Sequence, residues 1–167
     1  MKASHVLCAA TSVASILFAQ ASLSIPPPNA KDLTQGKWAL QVSKSLFCNG
    51  APQKSTREIF DAGWGFVSVL WGGVDAKGET INIRYVYKLD GQKYPSDIVK
   101  PSDVAISWMM VSPSRIEFID WSKDNKMIAE NVRTVSADGQ TMTQTTKFAP
   151  ANDGKTDCID TQIFERQ

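Results

Sequence analysis

The chain has 167 residues, of which 43% are apolar and 21% charged, with 18 basic residues against 17 acidic ones. This length suits a single domain with a hydrophobic core of its own. The balanced charge argues against a disordered chain and against a basic surface built for nucleic acid, so we expect no nucleic-acid partner.

The first 21 residues have the features of a cleavable export signal. Lys2 supplies a positive start, residues 6–19 form an apolar run, and Ala19-Gln20-Ala21 presents small residues at a cleavage site. The run is too short for a comfortable membrane span. We therefore expect a secreted or periplasmic protein that does not span the membrane, with a Pro-rich leader at residues 22–32 and one domain at residues 33–167.

Cleavage of this signal would narrow the chemistry that the protein can perform. Loss of Lys2, His5 and Cys8 leaves 17 basic against 17 acidic residues, no histidine and two cysteines. Without histidine there is no Ser–His or Cys–His nucleophile, and two cysteines do not make a structural zinc site. We expect no enzyme activity, no cofactor and no metal. In an exported chain, Cys48 and Cys158 are expected to form a disulfide.

From Gly36 onward, apolar and polar residues alternate, with turn signals about every ten residues, which predicts an all-β meander. Asp90-Gly91 is the strongest of the hairpin signals. No segment has convincing helical periodicity. The ten predicted strands are residues 36–42, 54–60, 66–72, 79–88, 92–94, 103–111, 115–121, 127–136, 141–148 and 158–166.

Short strands joined by tight hairpins form either a sandwich or an up-and-down barrel, and a barrel hides the edges of the sheet. The cysteines favour the barrel. In a closed meander the first and last strands are antiparallel neighbours, and a register that sets Trp38 opposite Arg166 also brings Cys48 close to Cys158. The prediction is a single antiparallel barrel of eight to ten strands with few or no helices. A disulfide across it would contribute about 4–5 kcal/mol.

Several short motifs resemble those of lipocalins and related calycins. Gly36-Lys37-Trp38 is similar to the lipocalin Gly-x-Trp motif, and the last predicted hairpin resembles that of the fatty-acid-binding proteins. The order and spacing of these motifs over residues 33–167 resemble those of the small exported lipocalin-like proteins of bacteria. The further motifs that carry this resemblance are Lys44-Ser45, Asp90 to Pro95 and Asp138 to Thr143.

This resemblance implies a calycin-type barrel that holds a small apolar molecule, and a barrel floor in which Arg166 stacks on Trp38. It departs from the fatty-acid-binding proteins in two places. Residues 43–53 are too few for the two helices that cap those barrels, and Gln162 and Phe164 stand where their last strand has the Arg-x-Tyr carboxylate anchor. We therefore do not expect fatty-acid binding in that mode.

Two functional hypotheses follow, for a monomeric protein. The first is a barrel that binds a small, largely apolar ligand in its interior, since the fold suits such a site. The expected lining residues are Trp71, Tyr85, Tyr87, Trp108, Met142 and Phe164. The second is a barrel filled by its own side chains that binds or inhibits another protein of the cell envelope. A carrier should have an internal cavity of a few hundred cubic ångströms, and a filled barrel should have none.

Three residues carry further expectations. Trp64, between two glycines at a loop tip, either folds back as a lid or is exposed to a protein partner, and we favour the lid. Arg84 and Arg133 lie in alternating strands and are expected on the solvent face. An arginine that pointed inward would need a carboxylate, which an anionic ligand could supply. The rows Thr141/Thr143/Thr145 and Met142/Gln144/Thr146 are both semi-polar, so which row faces inward stays open.

Overall fold

A computed structural model describes residues 31–98, 103–149 and 159–167. The predicted signal peptide (residues 1–21), most of the Pro-rich leader, and both Cys8 and Cys158 lie outside the described residues. Within the described part of the chain, no helix is long and apolar enough to cross a membrane.

The fold is all-β, as the alternation predicts, and its strands are rich in the β-branched and aromatic residues that a pleated surface favours. The first strand ends earlier than expected, because Val42 opens a 3-10 turn, Val42–Lys44. The strands are β1 (Gly36–Leu40), β2 (Lys54–Gly63), β3 (Phe66–Val74), β4 (Thr80–Tyr87), β5 (Asp90–Pro95), β6 (Ala105–Ser112), β7 (Arg115–Trp121), β8 (Met127–Val135), β9 (Thr141–Phe148) and β10 (Ile159–Arg166).

The ten strands form one antiparallel up-and-down sheet that curls into a nearly closed barrel. The first and last strands pair, with Trp38 opposite Arg166 and Leu40 opposite Phe164. The sheet ends at β4 and β5, which follow each other in the chain but do not pair. The hairpin predicted at Asp90-Gly91 is therefore wrong, and both residues lie in β5. Beyond β5, the N–H of Ile98 donates to the carbonyl oxygen of Arg84 at 2.7 Å, so this segment bonds to the free edge of β4. Closure of this kind leaves few backbone groups available for edge-to-edge association.

The two ends of the barrel differ in polarity. We call the end at which β2, β4, β6, β8 and β10 begin the upper end, and the other the lower end. Alternate residues of each strand face the interior. At the lower end these residues are apolar and make a packed core that includes Trp38, Ile59, Val69, Ile116, Val135 and Met142, all buried.

Residues 31–35 and the last strand seal the lower end. The guanidinium of Arg166 lies over the Trp38 ring, with its central carbon 4.1 Å from the ring centroid. Its three nitrogens donate to the carbonyl oxygens of Gly139, Gln35 and Leu33 at 2.6–3.0 Å. Gly36 makes room for this guanidinium, because a Cβ there would lie 2.2 Å from Arg166 Nη1. The geometry is that of a floor pair, in which an arginine covers an indole.

Trp64 does not fold back onto the barrel, so the expected lid is wrong. It occupies the tip of the β2–β3 hairpin, and its side chain is 95% exposed. The flanking glycines, Gly63 and Gly65, and Trp64 itself all have positive φ, which turns the chain tightly and carries the indole away from the sheet. This hairpin lies at the lower end, remote from the cavity described below.

Candidate functional site

The upper part of the barrel encloses a cavity of about 560 Å³. It forms because the interior rows change from bulky apolar residues at the lower end to shorter or polar residues above, which fill less space. Aromatic rings make much of its wall: Trp71, Tyr85, Trp108, Phe118 and Phe148. The Trp108 and Phe118 rings stack with centroids 3.9 Å apart, so this wall is flat and rigid.

Two arginines point into this cavity from opposite sides of the barrel. Arg57 of β2 is 4% exposed and Arg133 of β8 is 0% exposed. Both donate to the same acceptor, Gln144 Oε1, from Arg57 Nη1 at 2.5 Å and from Arg133 Nη2 at 3.0 Å. Arg57 Nη2 also donates to Gln162 Oε1 at 3.3 Å. Neutral amides thus hold both guanidiniums.

Neither guanidinium is within salt-bridge distance of a carboxylate in the described part of the chain. Arg57 Nε is buried and has no hydrogen-bond partner among those residues. Burial lowers the pKa of Arg57 from 12.5 to about 10, and the positive charge of Arg133 acts in the same direction. Arginine side chains carry a positive charge at neutral pH, so the centre of the cavity holds two buried guanidiniums whose partners there are neutral amides.

Carboxylates line the cavity nearer the upper end. Asp120 Oδ2 accepts from Asn131 Nδ2 at 3.2 Å, whereas Asp120 Oδ1 is buried with no hydrogen-bond partner among the described residues. Asp160 Oδ1 accepts from the backbone N–H of Cys48 at 2.6 Å, and Asp97, just beyond β5, also contributes to the wall. Burial raises the pKa of Asp120, although the hydrogen bond from Asn131 partly opposes this. The cavity therefore separates positive charge at its centre from negative charge near its upper end.

The six expected lining residues fall into two groups. Trp71, Tyr85 and Trp108 line the cavity. Tyr87, Met142 and Phe164 lie lower, as fully buried members of the packed core. The two groups differ in how far each residue lies from the lower end of the barrel, and the alternation of apolar and polar residues does not reveal that distance. Phe164 still bears on the site, since the Arg57 guanidinium carbon lies 4.8 Å from its ring centroid.

The expectation for Arg133 is wrong, because its side chain faces inward and is completely buried. Arg84, in contrast, is exposed on the outer face, as expected. Sequence reasoning did not single out Arg57 at all. The available signal was that Lys54, Thr56 and Glu58 form a polar outer row, which leaves Arg57 on the same face as Ile59.

Cys48 lies at the upper end of the barrel, in the loop after β1. Its neighbourhood is that of the last strand, because Leu46 bridges to Thr161 and the Cys48 N–H bonds to Asp160. Cys158 is not among the described residues, so its pairing with Cys48 stays a prediction.

Comparison with known proteins supports the fold alone. No family model matches the chain, and no curated protein matches it in sequence. Among solved structures, a point mutant of the fluorescent protein UnaG is similar, with a TM-score of 0.57 and 13% identity, over 81% of this chain and 97% of that one. The chain is therefore an all-β barrel of ten antiparallel up-and-down strands, similar in fold to that protein.

Proposed function

We propose that this protein is an exported, non-enzymatic barrel that binds a small, largely apolar molecule carrying one anionic group. The body of the ligand would lie against the aromatic wall of the cavity. Its anionic group would sit between Arg57 and Arg133. Such a cavity, apolar with a few convergent polar groups, has the composition that small-molecule sites share.

The observation that carries the proposal is the pair of buried guanidiniums, neither of which has a carboxylate partner among the described residues. Burial of an unpaired charge costs several kcal/mol, and a packed barrel interior could hold apolar residues instead. An anion between the two arginines would satisfy both charges and accept from the free Arg57 Nε. The anchor differs from the Arg-x-Tyr of the fatty-acid-binding proteins, because it comes from β2 and β8 instead of the last strand.

Export is part of the proposal, and two features support it. The first 21 residues read as a cleavable signal. Cys48 lies beside the start of the last strand, and a bond between Cys48 and Cys158 would be stable in an oxidising compartment. It would tie the loop after β1 to the start of β10 beside the cavity.

A matched pair of fluorescent probes tests the anchor. Nα-dansyl-norleucine carries a carboxylate, whereas its methyl ester has the same apolar body without the charge. We expect the acid to bind at least about tenfold more tightly than the ester, because one charge-assisted hydrogen bond suffices for that difference. Arg57→Met and Arg133→Met should each abolish the preference, and Arg84→Met on the outer face should preserve it. Equal binding of acid and ester would refute the anchor.

A second candidate function, binding to another protein, is supported by Trp64. A tryptophan 95% exposed at a hairpin tip is unusual on a surface without a partner, since tryptophan is enriched where proteins meet. The cavity of about 560 Å³ favours the carrier, because a filled barrel would lack such a space. Loss of a captured envelope protein on Trp64→Ser, with ligand binding unchanged, would favour this second function.

A further inference from the structure

We infer that the ligand of this cavity is zwitterionic, with a basic amine at the opposite end from its acidic group. The amine would sit between Asp120 and Asp160, above the arginines. This inference rests on the proposed function and narrows its ligand class. It is carried by the way the barrel separates the two signs of charge.

The strand registers place the charges at different heights. Arg133 pairs with Gln144, and Gln144 pairs with Gln162, which makes one interior row. Asn131 pairs with Thr146, and Thr146 pairs with Asp160, which makes the next row up. Two residues separate the rows along a strand, so the backbone of Asp160 lies roughly 7 Å above the row of Arg133.

Asp120 lies one row higher again. It pairs with Ala129, which is four residues from Arg133 along β8, a rise of roughly 13 Å. In the described part of the chain, neither Asp120 nor Asp160 forms a salt bridge. Asp120 Oδ1 is buried and has no hydrogen-bond partner there. The upper rows thus carry carboxylates whose donors, the Asn131 amide and the Cys48 backbone N–H, are neutral.

A ligand with only an acidic group would leave this upper region unmatched, because its apolar body would lie against half-buried carboxylates. An amine roughly 7–13 Å from the acid would donate to them. A hard metal ion would instead require several more oxygen ligands. The ligand class is therefore an aromatic or alkyl spacer with an acid at one end and an amine at the other.

The test compares two probes that differ by one charged group. Nα-dansyl-lysine has the carboxylate and the chain of Nα-dansyl-norleucine, but ends in an ammonium. An added charge normally weakens entry into an apolar cavity. We expect the lysine probe instead to bind at least about tenfold more tightly to the unmodified mature protein, so the first readout needs no variant.

Isosteric variants then locate the amine. Asp120→Asn and Asp160→Asn should each reduce the preference for the lysine probe. The double variant should bind the lysine and norleucine probes equally, or bind the norleucine probe more tightly. Asp103→Asn removes the same charge from a side chain that is 79% exposed, and should leave the preference unchanged.

The outcomes separate the two proposals. If the norleucine probe binds as tightly as the lysine probe or more tightly, the zwitterion inference is overturned. In that case the acid anchor still stands if Arg57→Met weakens binding of the norleucine probe. A lysine preference that survives the double variant would overturn the assignment to these carboxylates. Failure of both probes to bind the unmodified protein would count against both proposals.

Discussion

Replacement of Arg57 by methionine should stabilise the empty barrel while it impairs ligand binding. Methionine has a similar length and flexibility, so it can fill the same space between Trp71 and Phe164. The change removes one of two buried positive charges that share a single amide acceptor. A site held ready for an anion should be a source of instability until the anion arrives.

The magnitude follows from the titration of Arg57. The fall in its pKa from 12.5 to about 10 corresponds to roughly 3 kcal/mol by which burial of the charged form opposes folding. Loss of the hydrogen bonds to Gln144 and Gln162 destabilises the variant by about 1–2 kcal/mol and so offsets part of this gain. We expect the free energy of unfolding to rise by about 1–2 kcal/mol, and the Tm by about 3–6 °C.

The pH dependence has a defined sign. Since the pKa of Arg57 is lower in the folded protein than in the unfolded chain, the penalty is complete at neutral pH and fades as the pH rises above about 10. The advantage of the variant should shrink in that range. At neutral pH it should be at its full value.

Urea unfolding followed by tryptophan fluorescence measures the change, with Arg84→Met as the matched control. That control removes an exposed arginine and should alter the free energy of unfolding by less than about 0.5 kcal/mol. If Arg57→Met lowers the free energy of unfolding by about 1 kcal/mol or more with an unchanged m-value, the guanidinium is well compensated by its amide partners. The pair of arginines would then give no reason to expect an anion.

Three further perturbations test other parts of the structure. Burial raises the pKa of Asp120, so its ionised form opposes folding and the free energy of unfolding should fall as the pH rises from acid towards neutral. Asp120→Asn should remove this fall. Urea unfolding at several pH values would show the flatter profile, and an unchanged profile would contradict the prediction. Gly36→Ala should lower the free energy of unfolding by about 2 kcal/mol or more, because the φ of Gly36 is +138° and the new Cβ would meet Arg166 Nη1. An unchanged melting temperature would contradict the floor geometry. Reduction should add two hydrogens to the mass of the mature protein if Cys48 and Cys158 are joined, and Cys158→Ser should cost about 2–5 kcal/mol in urea unfolding; an unchanged mass would rule the bond out.

The strand count, the up-and-down order and the pairing of the first strand with the last were predictable from the sequence. Each depends on local signals: alternation of apolar and polar residues, and turns such as Asp138-Gly139 between β8 and β9. The closure register was also predictable, because Trp38 and Arg166 were placed opposite each other and are paired in the structure. Short hairpins leave a meander few other arrangements, so local patterns carry through to topology.

The interior chemistry depended on the tertiary structure. On β8 and β9 both faces carry polar residues, so alternation does not identify the inner row, and Arg133 could be placed only once its neighbours were in register. The rest depended on height along the barrel. Tyr85 and Tyr87 share one face of β4 and both belong to the packed core, yet only Tyr85 also lines the cavity. A strand pattern records which face a side chain is on, whereas the shape of the closed barrel determines how much empty space that side chain meets.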